Sequence, residues 1–143
     1  MVRATELTPE ALIRSMEAGD FYASSGVTLT SHAFDSEKKM LSISIAGEDG
    51  VDYVTEFIGT PIDYDKANQT VADKNGKEIS ATRTYSADVG KVLAKVAGTA
   101  ASYELTGKEL YVRAVVTSTK KHWNPSFDGQ TEQAWTQPVG WEF

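Results

Sequence analysis

The chain has no cysteine, only two histidines and four prolines among its 143 residues, and no apolar run near the ~18 residues that span a bilayer. Without cysteine there is no disulfide, no thiolate metal site and no cysteine nucleophile. His32 and His122 stand alone, in no H-x-H, H-E-x-x-H or H-x-x-x-H spacing that would bring two imidazoles to one metal. No G-x-S-x-G elbow occurs: Ser24-Ser25-Gly26 lacks the first glycine and lies in a helix-to-strand passage rather than the strand-to-helix turn that exposes a nucleophile. No glycine-rich loop is built to cradle phosphate. Fourteen Lys and Arg face twenty Asp and Glu, for a net charge of −6, with no block of like charges. That balance argues against nucleic acid and anionic membrane as partners. The first residues lack the apolar core of a signal peptide. The composition is that of a soluble chain, and its compartment is open, including an export signal upstream in a longer parent.

What is present begins with a capped helix. Thr8 is a good N-cap, Pro9 suits the first helical position, and Glu10 complements the positive end of the dipole. Leu12, Ile13 and Met16 form an apolar stripe, and Gly19 supplies the C-terminal stop. About three turns cannot be stable alone in water. The helix must dock, either on the chain that follows or on a neighbour outside it.

From Phe21 the period becomes that of strands. Residues 39–46 alternate, with Leu41, Ile43 and Ile45 on one face, and 51–58 are extended, with Tyr53 and Phe57 on one face. Asp49-Gly50 between them predicts a hairpin. Further extended segments are expected at 79–85, 91–96, 101–105, 109–117 and 133–141, separated by turns at Asn75-Gly76, Ala97-Gly98 and Thr106-Gly107-Lys108. Residues 86–97 fit a short helix capped by Ser86 as well as a strand. The pattern predicts a mainly β fold: an antiparallel β-sandwich of about seven to eight strands over 21–143, preceded by one short N-terminal α-helix within 1–20.

Candidate chemistry is sparse. Asp63 and Asp65 begin something like a calcium loop, but Ala67 replaces the next oxygen ligand. Asn68-Gln69-Thr70 matches a glycosylation acceptor, meaningful only in a eukaryotic secretory context. The remaining candidates are aromatic. Trp123, Trp135 and Tyr111, with Trp141 and Tyr103, cluster in the last third, where they either fill the sandwich or offer platforms for stacking a ligand such as a sugar. Trp123, in the polar run Lys120-Lys121-His122-Trp123-Asn124-Pro125, is the strongest candidate for exposure.

The segment LTPEALIRSMEAGDFYASSGVTL (7–29) resembles the passage that follows the catalytic barrel in the polymerase and histidinol phosphatase (PHP) superfamily. Glu109-Leu110-Tyr111-Val112-Arg113-Ala114 and Gln133-Ala134-Trp135-Thr136-Gln137-Pro138-Val139 resemble two later strands of such tails. Together these pieces cover about a third of the chain. The resemblance implies a metal-dependent phosphoesterase whose barrel binds two or three divalent metals through an H-x-H, further His and Glu ligands and a late D-x-H. None of these motifs is in this sequence, so no catalytic or metal residue is carried over, and the metals belong to the barrel. What is expected is a non-catalytic C-terminal accessory domain. Its partner would be the upstream barrel of the same polypeptide, with Leu12, Ile13 and Met16 at the interdomain contact. Arg113 and Trp135-Thr136-Gln137-Pro138 match family positions without a catalytic duty, and their expected physical roles are an Arg packed against an aromatic ring or a carboxylate and a terminal edge strand that tolerates Pro138. Two other readings stay open: a carbohydrate- or ligand-binding sandwich module, and an enzyme complete in these residues, which needs a pocket joining His32 or His122 to carboxylates. Oligomeric state is not legible.

Overall fold

A computed structural model describes residues 1–141. The helix α1, Pro9–Glu17, forms as its capping residues dictate. Thr8 sits in extended backbone and its Oγ1 accepts from the Ala11 N–H at 3.3 Å, while Gly19, at φ 77°, turns the chain out after Ala18.

Ten strands follow among the described residues, all paired antiparallel: β1 (Tyr22–Ser24), β2 (Leu29–Asp35), β3 (Met40–Ile45), β4 (Tyr53–Pro61), β5 (Asn68–Ala72), β6 (Glu78–Tyr85), β7 (Lys91–Ala97), β8 (Ala100–Glu104), β9 (Glu109–Lys121) and β10 (Thr131–Thr136). One sheet has the order β1-β10-β9-β4-β7, the other β2-β3-β8, and β5-β6 form a separate ribbon. The fold is thus mainly β and sandwich-like, with one short helix, and has more strands than the turn signals predict.

The two larger sheets enclose the core. Leu41, Ile43 and Ile45 from the three-stranded sheet meet Tyr53, Phe57, Val112, Ala114 and Val116 from the five-stranded one, all at most 6 % exposed. Phe57 stacks on Tyr103 of β8, with ring centroids 5.5 Å apart, so one aromatic pair ties the sheets together. Strand β9 is the long central element, paired with β4 from Tyr53↔Ser118 to Pro61↔Glu109. Its inward residues Val112, Ala114 and Val116 alternate as expected, and Val115 is buried on the opposite face.

Three expectations need correction, and one open alternative is decided. Asp49-Gly50 does not close a hairpin: β3 pairs with β2 and β8, and β4 with β7 and β9, so this connection crosses between sheets. A hairpin and an arch both turn the apolar faces of 39–46 and 51–58 inward, and alternation alone does not separate them. Residues 86–97 are a turn followed by β7, not a helix, because pairing with β4 captures Val92, Ala94 and Val96. The last strand stops at Thr136 and is not an edge, since β1 and β9 flank it. Thr136 Oγ1 accepts the buried Ala114 N–H at 2.9 Å, and the chain rejoins β9 only through the Val112↔Val139 bridge. Pro138 is therefore tolerated beyond the ladder rather than on an edge within it. Finally, among the described residues Arg113 has neither an ion-pair partner nor a ring under its guanidinium. It lies half-buried on the outer face of β9, opposite Ile58.

Candidate functional site

Three surfaces contain the residues singled out from sequence. The first is α1. None of its residues is buried: Ile13 is 56 % and Met16 53 % exposed, Leu12 is half-buried, and Leu7 just before the cap is 91 % exposed. The excursion holding the helix is pinned at its base, where the Met1 ammonium donates to Tyr22 O at 2.9 Å and the Arg3 N–H donates to Asp20 O at 2.8 Å. Ile13 and Met16 of the stripe are left open to solvent.

The C-terminal end of α1 opens onto a cleft of about 710 Å³, which sequence reading did not anticipate. Gly19, Phe34, Ile62, Leu110, Gln137 and Trp141 line it from five separate stretches of chain, so no local pattern announces it. Glu109 also borders the cleft, but its carboxylate is committed. It accepts from the Tyr103 hydroxyl at 2.8 Å, from Thr106 Oγ1 at 2.8 Å and from the Thr106 N–H at 3.0 Å. Burial raises its proton affinity, yet the Thr106 and Tyr103 hydrogen bonds outweigh burial and hold it below the usual carboxylate range. Tyr103 is pushed up to about 12, by burial first and then by Glu109. A carboxylate this well satisfied organises the β8–β9 turn. A proton shuttle would instead need a titration near neutrality.

The second surface is the outer face of the five-stranded sheet. Register places Ala23, Trp135, Val115, Glu56 and Lys95 in one row across it, with Glu56 and Lys95 ion-paired at 2.6 Å. Trp135 is half-buried there and helps cover Val115. Tyr111 shares this face four positions along β9, roughly 13 Å away at 3.3 Å per residue. The Tyr111 hydroxyl accepts from Thr60 Oγ1 at 3.3 Å.

The third is loop 122–130, where Trp123 is 84 % exposed. It lies at the end of β9 opposite to Tyr111, roughly 30 Å away along the strand. Trp123, Trp135 and Tyr111 therefore form no common platform. Phe127, which sequence reading passed over, shares the loop with Trp123 and is 65 % exposed. Its signal was available in the polar loop composition on either side of it.

The histidines are engaged separately. His122 Nδ1 accepts the Asn124 N–H at 3.1 Å. His32, half-buried on β2, packs edge-on to Tyr22 at 5.5 Å and lies 3.3 Å from Arg3 Nη2 through Nδ1. Among the described residues no group of three His, Asp or Glu is placed to hold a metal ion. Asp65 Oδ1 accepts the Ala67 N–H at 2.8 Å, and Asp73 Oδ1 accepts from Asn75 and Lys77, so both carboxylates close turns.

Burial, then the Arg3 charge, lowers the pKa of His32 against a smaller opposing effect of Asp20. The unfolded chain therefore takes up a proton first as pH falls. This contribution to stability is complete above about pH 6.5 and is lost as pH drops through the lower folded value. Between pH 7 and pH 5 the urea midpoint of the wild-type protein is expected to fall further than that of His32→Gln. Parallel declines would show that His32 titrates alike in both states.

Compared with models of known protein families, with curated proteins and with solved structures, the chain matches none.

Proposed function

We propose that this chain is a non-catalytic accessory domain of a PHP-type metal-dependent phosphoesterase, docked on an upstream catalytic barrel through the stripe of α1. The observation that carries this reading is the bare face of Ile13 and Met16 on a helix of nine residues. Such a helix gains little from propensity and normally owes its stability to burying an apolar stripe. Here Leu12 is only half-buried and Ile13 and Met16 are left uncovered. The three sequence segments that resemble PHP tails add to this, and they lie in the passage 7–29, on β9 and on β10 with its extension. In the assembled protein the divalent metals and the hydrolytic chemistry would reside in the barrel. This domain would supply a fixed surface against it.

The genomic reading frame upstream of Met1 tests the proposal directly, since it should encode an H-x-H motif and a late D-x-H before the helix. A frame without them overturns it. The helix itself offers a second measurement. In this chain alone Ile13→Asp with Met16→Asp should change stability by no more than about 0.5 kcal/mol per site, as for other exposed positions. In the two-domain protein the same pair should expose the amides of α1 to rapid hydrogen exchange. Unchanged protection there would rule out docking through this face.

A further inference from the structure

Loop 122–130 joins β9 to β10 and holds two large aromatic side chains away from the core. Its backbone is tied down at several points. The His122 N–H donates to Gln130 O at 2.9 Å, the Ser126 N–H to Gln130 Oε1 at 2.6 Å and the Gln130 N–H to Phe127 O at 3.3 Å. The Asn124 N–H donates to His122 Nδ1, which orients that imidazole. The imidazole in turn lies along the Trp123 indole, with centroids 6.2 Å apart and planes at 23°. The indole nonetheless stays almost wholly open to water, at 84 % exposure of the residue.

An exposed tryptophan is costly to leave bare, and on a loop whose backbone is already tied down it can receive a flat apolar surface with less ordering than on a free loop. We propose that loop 122–130 is a binding site for neutral saccharides, with an exposed face of Trp123 stacking on the C–H face of a pyranose ring. Phe127, on the same loop and 65 % exposed, offers a second ring. The side chains of Asn124 and Asp128 and the Lys121 ammonium, exposed and without hydrogen-bond or ion-pair partners among the described residues, supply the donors and acceptors that sugar hydroxyls require.

The loop's composition separates this ligand from the competing ones. Insertion into a bilayer would carry Asn124, Ser126 and Asp128 toward the acyl boundary along with the rings, at a desolvation cost that two aromatics do not offset. A net charge of −6 also repels anionic lipid, nucleic acid and acidic polymers. Protein interfaces seat aromatic anchors within a desolvated apolar centre, and apart from Pro125 the other residues of this loop are polar or glycine. This site lies away from the α1 face and does not depend on docking to a barrel.

The test is electrophoresis of the whole chain in native gels containing hydroxyethyl cellulose, laminarin or galactomannan, with sedimentation against phosphatidylcholine vesicles with and without phosphatidylglycerol. At least one of the three polysaccharides should retard the wild-type protein. Trp123→Ala should weaken retention about tenfold or more, the scale of losing an aromatic hot spot. Phe127→Ala should weaken it less, and Trp135→Phe should leave it unchanged. Trp123→Ala should melt within about 2 °C of wild type, because the residue is exposed, so its loss of binding cannot be ascribed to unfolding. Retardation by none of the three overturns the proposal. So does retention that survives Trp123→Ala, or vesicle binding that depends on Trp123. None of these outcomes bears on the reading frame upstream of Met1, so the accessory-domain reading stands or falls separately.

Discussion

Phe57→Ala is expected to destabilise the protein by about 4 kcal/mol, far more than truncating any of the exposed apolar side chains. Phe57 is fully buried at the centre of β4, and its ring lies on Tyr103 from the facing sheet. Truncation removes the transfer energy of the ring and leaves a cavity bounded by two sheets that are each held in register by hydrogen bonds, so collapse around it is limited. It also strips one side of Tyr103, whose hydroxyl donates to Glu109 in the β8–β9 turn. Loss of near-ultraviolet dichroism should accompany the drop in the urea midpoint, with a fall in melting temperature of about 10–15 °C. As a control, Val54→Ala on the outer face, at 38 % exposure, should cost much less than Phe57→Ala. A loss below about 1.5 kcal/mol for Phe57→Ala would mean the two sheets are not joined through this ring.

Gly59→Ala should cost about 3 kcal/mol, for the opposite reason. Gly59 is buried in β4 opposite Val112, and a Cβ there would stand 2.5 Å from the Tyr111 carbonyl oxygen and 2.8 Å from Leu93 Cδ1. Leucine can rotate away. The carbonyl cannot move without parting β4 from β9, the longest pairing in the molecule. A double-mutant cycle separates the two contacts. If the backbone contact dominates, Leu93→Ala should rescue less than about 1 kcal/mol of the Gly59→Ala loss. Full rescue would show that only the side chain stood in the way.

How much was readable in advance depended on whether a segment is shaped by its neighbours in sequence or by partners across the fold. The helix at 9–17, its cap and its stop follow from Thr8, Pro9 and Gly19, because capping is a contact between residues three or four apart. Strand β9 was legible because Val112, Ala114 and Val116 alternate cleanly. Strand β2 escaped because the register irregularity between Leu29 and Ser31 breaks the alternation: Leu29 faces inward, and then His32 and Phe34 do. Strand β5 escaped for a different reason. The β5–β6 ribbon is almost wholly exposed, and a strand with no buried face writes no apolar period into its sequence.

The candidate surfaces divide the same way. The sequence singled out the stripe of α1 and Trp123, since a helix of this length and a tryptophan in a polar loop both pose the question of what covers them, but it left the answer open. Their grouping was not. Trp135 and Tyr111 prove to share the outer sheet face and to stand far from Trp123, a separation fixed by the pairing of β10 with β9 and by the length of β9.

By itself the sequence determined the helix and its ends, the principal apolar strands, several of the turns, and the charge balance, all of which rest on short-range geometry or on totals. Only the tertiary structure decided which strands share a sheet, that Asp49-Gly50 leads from one sheet to the other, that Ile13 and Met16 of α1 are left uncovered, and that a cleft opens at the end of the helix. Those outcomes depend on contacts between residues far apart in the chain. A side chain facing inward has the same local pattern whichever strand lies beside it.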